Sequence, residues 1–208
     1  MGRPSNSAER RQEITAGLMR DMASHGYERA TIALIAREAG LASGLVHYHF
    51  ESKAEILRAL VEGLASGARA RIDALVAGAD SAMGRVDALL DGLLARGESE
   101  DLDAVRCWSL IGAEAVTDTE VRALYSGFIT ELTQRLGVLL VAACHEAGRS
   151  GEGSRAMAGA LVAMAEGYFA LSAAVPDAIP IGSAAAMAKR AARGLVSEQS
   201  RLERRSKR

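Results

Sequence analysis

The sequence predicts an all-α protein, and three observations carry that expectation. Its 208 residues are 49% hydrophobic yet only 4% aromatic, with alanine and leucine abundant, a profile that suits helices better than β-branched, aromatic strands. Only three prolines occur, Pro4, Pro176 and Pro180, so long stretches run without a breaker. Apolar side chains recur at spacings of three and four through successive segments.

Ile14, Leu18 and Met22 build one stripe on a first helix over about residues 8–25, with Gly26 at its C-terminal cap. Thr31 caps a second helix, Ile32 to Ala39, which Gly40 ends by tolerating a positive φ. Ser43 is expected to cap a third helix, Gly44 to Phe50. A fourth starts near Lys53 with Ile56, Leu57, Leu60, Val61 and Leu64 on one face. Further amphipathic helices follow between breaks at 78–81, 97–101, 117–119, 148–154 and 175–183. The last, about 183–200, is rich in alanine and suited to close helix approach. The expected division is a three-helix unit at 1–52, a helical unit over 53–200 and a charged, disordered tail at 201–208.

Net charge is −1, unevenly spread: +1 over residues 1–58, −5 over 59–197 and +3 over 198–208. The acidic middle argues against a nucleic-acid surface there, whereas the N-terminal block, with three of the four histidines, is compatible with one. Cys107 and Cys144 have neither CxxC spacing nor a nearby histidine pair, so no metal, dithiol or other cofactor is expected, and a reducing compartment fits. The N-terminus lacks an apolar signal core and no run approaches the roughly 18 to 20 apolar residues of a membrane span. A cytoplasmic protein with no membrane partner is expected.

Ala36-Arg37-Glu38-Ala39-Gly40-Leu41 joins two short helices through a tight glycine turn, the steric requirement of a helix-turn-helix. Ala36 is small where the helices cross, and Leu41 and Val46 fill the seam. Any tight helical hairpin wants the same two small residues, so this pattern alone leaves both readings open.

The longer segment over residues 31–57 decides more. It resembles the signature of the TetR family of transcriptional regulators: a threonine cap at Thr31, Ala36 and Gly40 in the turn, the aromatic-His-Phe stretch Tyr48-His49-Phe50, then Glu51-Ser52-Lys53. The family's common tyrosine two positions before the histidine is His47 here, and the usual small hydroxyl residue is Leu45, a pattern closer to the BetI-like branch than to the tetracycline repressor. The resemblance implies a homodimer that binds double-stranded operator DNA and is switched by a small-molecule effector, as repressor or as activator.

In the family the third helix enters the major groove, which makes Ala42, Ser43, Leu45, His47 and Tyr48 the candidate DNA contacts. No Lys or Arg lies between 41 and 52, so arginine-to-guanine readout cannot come from this helix. Ser43 and His47 are left as hydrogen-bonding readers, and Ala42 and Leu45 as partners for a thymine methyl. Lys53, Thr31 and the Tyr48 hydroxyl are candidate phosphate anchors. Arg3, Arg10 and Arg11 either form an arm on the DNA or belong to an ordinary mobile terminus. His47 and His49 alternate by two on a helix and so face apart, which disfavours metal.

For the regulatory half, Cys107, Trp108, Glu114, Tyr125, Phe128, Met164 and Tyr168 are candidates for lining an effector cavity, and ordinary core packing accounts for the same residues. Glu114, in an apolar stretch, is expected to be solvated, paired with Arg106 or Arg122, or matched to a cationic ligand. Small apolar faces at 157–172 and 184–196 suit pairing with a symmetry mate. An enzyme using His47, His49 or Cys107 is not expected, because no nucleophile, base and orienter set appears.

Overall fold

A computed structural model describes residues 6–94, 102–180 and 182–201. Among these there are nine α-helices: α1 (Asn6–His25), α2 (Ile32–Ala39), α3 (Ser43–His49), α4 (Lys53–Ala77), α5 (Ala82–Leu94), α6 (Leu102–Glu114), α7 (Thr119–Glu146), α8 (Ser154–Ala174) and α9 (Ser183–Glu198). A single 3-10 turn, Pro176–Ala178, precedes α9. The all-α expectation holds, and four of the five expected breaks fall between these helices; the fifth, at 97–101, lies outside the described residues.

The chain forms two compact units, residues 1–66 with 101–126, and 67–100 with 127–208, so that α4 and α7 contribute to both. In the first unit Ile14, Leu18 and Met22 are fully buried along α1, which packs on α2 and α6. Gly17 sits where α1 meets α2: a Cβ there would lie 2.7 Å from the Ile35 carbonyl oxygen and 3.0 Å from the Ala39 nitrogen.

Punctuation at α2 follows the sequence. Thr31 has extended backbone and its hydroxyl accepts the Leu34 N–H at 3.3 Å. Gly40, at φ 69°, lets Leu41 N–H reach back to the Ala36 carbonyl at 2.9 Å. At α3 the expectation is corrected. The helix begins at Ser43 itself, so the cap position is Ala42, whose methyl can accept nothing, and the serine hydroxyl is left exposed.

Helix α4 opens on a side-chain cap. The Ser52 hydroxyl accepts the Glu55 N–H at 3.1 Å while the Glu55 carboxylate accepts the Glu51 N–H at 2.8 Å, a reciprocal pair closely related to the capping box. The Glu51 N–H bond holds the Glu55 carboxyl below its ordinary value near 4.5, against the opposing effect of burial and with help from Arg11. A carboxylate depressed in the folded state stabilises above its unfolded pKa, and that contribution is lost as pH falls through the folded value. Glu55→Gln is therefore expected to flatten the pH dependence of the melting temperature between about pH 5 and 3. A variant melting curve parallel to wild type across that window would refute the role.

In the second unit Gly92 brings α5 against α4, where a Cβ would stand 2.8 Å from the Ile72 Cα. Arg69 binds Glu131 with both carboxylate oxygens at 2.7–2.9 Å, and Arg135 meets Asp73 at 2.5 Å, linking α4 to α7. Helix α9 packs on α5 and α8 through Ala184, Ala185, Ala188, Ala192 and Val196, all buried. Its Lys189 meets Asp91 at 2.7 Å and its Arg193 pairs with Asp87. At the last described residues Ser150 N–H donates to Ser200 O at 2.8 Å and Arg201 bridges Arg149; the rest of the expected tail lies outside the described residues.

A second correction concerns hydropathy. Helices α7 and α8 are each long and apolar enough to cross a membrane by length and composition, contrary to the expectation that no stretch reaches that size. Glycines, serines and threonines among their apolar residues conceal this from a search for unbroken runs. Only 28% of the most apolar stretch of α8 is buried.

Candidate nucleic-acid interface

Helix α3 buries one side chain, Val46, against the first unit. Around it Ala42, Ser43, Gly44, His47 and Tyr48 are exposed and Leu45 is half-buried. Tyr48 is 81% exposed, an unusual setting for a large ring, and meets the edge of the half-buried His49 at 5.0 Å. Phe50 closes the helix as part of the core. His47 and His49 do not come together as a pair: one imidazole points to solvent and the other packs beside Tyr48.

Charge around this helix is largely committed within the protein. The Arg11 guanidinium donates to the His49 carbonyl, bonds Glu55 at 3.1 Å and stacks 3.8 Å over the Phe50 ring. Arg10 pairs with Glu13 at 2.6 Å. Both of these arginines have partners inside the fold; Arg3 lies outside the described residues. Arg20 donates to the Glu38 carbonyl and Arg37 bonds the Glu38 carboxylate at 3.1 Å. Lys53 lies 4.2 Å over the Tyr27 ring and donates to the Tyr27 carbonyl at 3.0 Å and the Glu28 carbonyl at 3.4 Å. An ammonium has three donors, so one N–H of Lys53 remains.

The effector candidates divide between the two units. Cys107, Trp108, Glu114 and Tyr125 belong to the first; Phe128, Met164 and Tyr168 belong to the second. Cys107, Trp108 and Phe128 are buried, the others half-buried. The Trp108 and Tyr125 rings lie 5.2 Å apart, with Gly112 giving the Tyr125 hydroxyl its space. Neither expected arginine pairs with Glu114. Arg122 donates to the carbonyls of Ala115 and Val116, Arg106 faces Asp103 at 4.0 Å, and the Glu114 carboxylate makes no hydrogen bond or ion pair among the described residues. Burial, with the charges of Asp118, Glu114 and Glu120 adding to it, pushes the Tyr27 hydroxyl up.

Comparison with known proteins bears on this arrangement. Residues 14–60 match the bacterial regulatory proteins of the tetR family, and residues 82–197 match the C-terminal domain of BetI-type transcriptional repressors. The HTH-type transcriptional regulator BetI of Rhizobium meliloti is 31% identical over 150 residues, 71% of this chain and 73% of that protein. The chain belongs to the TetR family. Among solved structures, a transcriptional regulator from Rhodococcus sp. Rha1 superposes with TM-score 0.78 at 18% identity, covering 92% of this chain and 98% of that one. A transcriptional regulator from Saccharomonospora viridis, solved in complex with choline, does so with TM-score 0.76 at 20% identity, covering 92% and 97%.

In this TetR-family chain two roles escaped sequence reasoning. The Ser52-Lys-Ala-Glu55 cap had a readable signal in its Ser-x-x-Glu spacing. The grip of Arg11 on the end of α3 had none, since Arg11 and Glu55 are 44 positions apart.

Proposed function

We propose that this TetR-family regulator is a repressor that binds a pseudo-palindromic operator as a homodimer in the cytoplasm and is released by a small molecule. The observation that carries the reading is α3, which spends one side chain on the core and turns the rest outward. Ser43 and His47 read base edges, Ala42 and Leu45 meet thymine methyls, and Thr31, the Tyr48 hydroxyl and the third N–H of Lys53 hold phosphates. With no cation on α3, DNA shape shares the burden of specificity.

The dimer is supported by α8. Ala156, Ala160, Ala163, Ala170 and Leu171 are exposed at near-heptad spacing on a helix apolar enough to cross a membrane, a face too apolar to be left to water. Half-sites one turn apart, roughly 34–36 Å, then match the two reading heads. For the effector, the ion-pair-free carboxylate of Glu114 and the rings of Trp108 and Tyr125 favour a small organic cation, held by charge and by aromatic faces. The choline complex of the Saccharomonospora viridis regulator makes choline the first probe.

A footprint on the DNA flanking this protein's own coding region tests the reading, with protection expected over an inverted repeat and lost on adding effector. Absence of any protected repeat there and in a selected random library would refute it. His47→Ala is expected to lower operator affinity by about 1 to 3 kcal/mol, relaxing preference at one base-pair step per half-site while leaving the salt dependence nearly unchanged. If the ratio of operator to random affinity stays constant in that variant, His47 does not read a base.

A further inference from the structure

Among the described residues of the first unit, Arg29 is the one Lys or Arg whose head group makes no hydrogen bond or ion pair within the protein. Arg10, Arg11, Arg37, Arg58 and Arg106 meet carboxylates, and Arg20, Lys53 and Arg122 meet backbone carbonyls. We infer that Arg29 is a DNA-backbone anchor of this regulator, gripping an operator phosphate together with the first amides of α2. The inference rests on the operator-binding reading above.

Placement supports it. Arg29 is exposed in the turn that the Ala30 N–H closes on the Tyr27 carbonyl at 3.1 Å, two positions before Thr31, which is itself exposed with extended backbone at φ −119°, ψ 157° as the chain enters α2. The Thr31 hydroxyl takes the Leu34 N–H, and the Thr31 carbonyl accepts from Ile35 N–H as the first bond of the helix. The N–H groups of Ile32 and Ala33 have no acceptor in the helix and stand at its positive end. Lys53, donating to the carbonyl of Glu28 next to Arg29, adds a cation to the same edge. An anion brought here meets a free guanidinium and two free amides, a donor set that matches a phosphate diester.

The test is the salt dependence of binding by the full-length wild type, Arg29→Ala and Arg29→Lys, each to operator and to random duplex DNA. Removing one phosphate contact per protomer is expected to lower the slope of log K against log salt by about 0.9 per protomer. Operator and random affinities should fall by the same factor, Arg29→Lys should keep the wild-type slope, and melting temperatures should be equal because nothing inside the protein is lost. An unchanged slope in Arg29→Ala, a loss confined to operator, or a lowered melting temperature would each overturn the assignment. Wild type that binds neither duplex would instead sink the operator-binding reading itself.

Discussion

Ala163→Glu combined with Leu171→Glu is expected to turn the protein into a monomer and to weaken operator binding by about 10²- to 10⁴-fold, the advantage that linking two half-site contacts confers. Both side chains are exposed on α8 in the isolated protomer, so neither substitution disturbs the protomer's own core. Across a two-fold axis each carboxylate meets its own copy or an apolar surface, and like charges in that setting repel. Sedimentation should show the monomer and a gel shift the lost affinity, with an unchanged melting profile at concentrations where both proteins are monomeric. A persistent dimer would move the interface to another face. Deleting α9 is a poorer test, because Ala188 and Ala192 are fully buried and the deletion would open the second unit.

Gly17→Ala should cost about 3 kcal/mol, at the upper end for overpacking, and abolish operator binding near the melting midpoint. The added methyl would stand 2.7 Å from the Ile35 carbonyl oxygen and 3.0 Å from the Ala39 nitrogen, and neither is a side chain that can rotate away. Helix α1 must then move off α2, taking with it the Arg11 grip on the end of α3. Calorimetry alongside a gel shift checks this. A variant as stable as wild type would show that α1 and α2 can separate without cost.

Much of the fold was legible because its punctuation is local. Gly26, Thr31 and Gly40 act on their immediate neighbours, and all three cap as their residue types dictate. Ser43 misled by one position: a serine beside a helix start looks like a cap, but the turn to helical backbone had already happened at Ala42. Charge was visible and its use was not. The sequence displays Arg10 and Arg11 near the N-terminus, while their partners Glu13, Glu55 and the His49 carbonyl emerge only when α1 and α3 are packed. Glu114 shows the same limit in reverse, since either arginine could have paired with it and both are bound to other groups. Residue type alone could not separate cavity wall from core among Trp108, Phe128 and Tyr168, because both settings select apolar and aromatic side chains.

Helix α3 rests on the rest of the unit through Val46, with its far end tied by backbone and by the buried Phe50 that follows it. On the operator-binding reading proposed above, operator choice and thermal robustness are therefore written in different residues. On that reading, exchanges at the exposed Ala42, Ser43 and His47 would alter which promoters are bound while leaving the core untouched, so α3 would serve as an exchangeable cassette on a constant body. Drift at Val46 or Phe50 has no such freedom, and a library that holds those two and Tyr48 constant while randomising Ala42, Ser43 and His47 is expected to sample new DNA specificities on a scaffold that still folds.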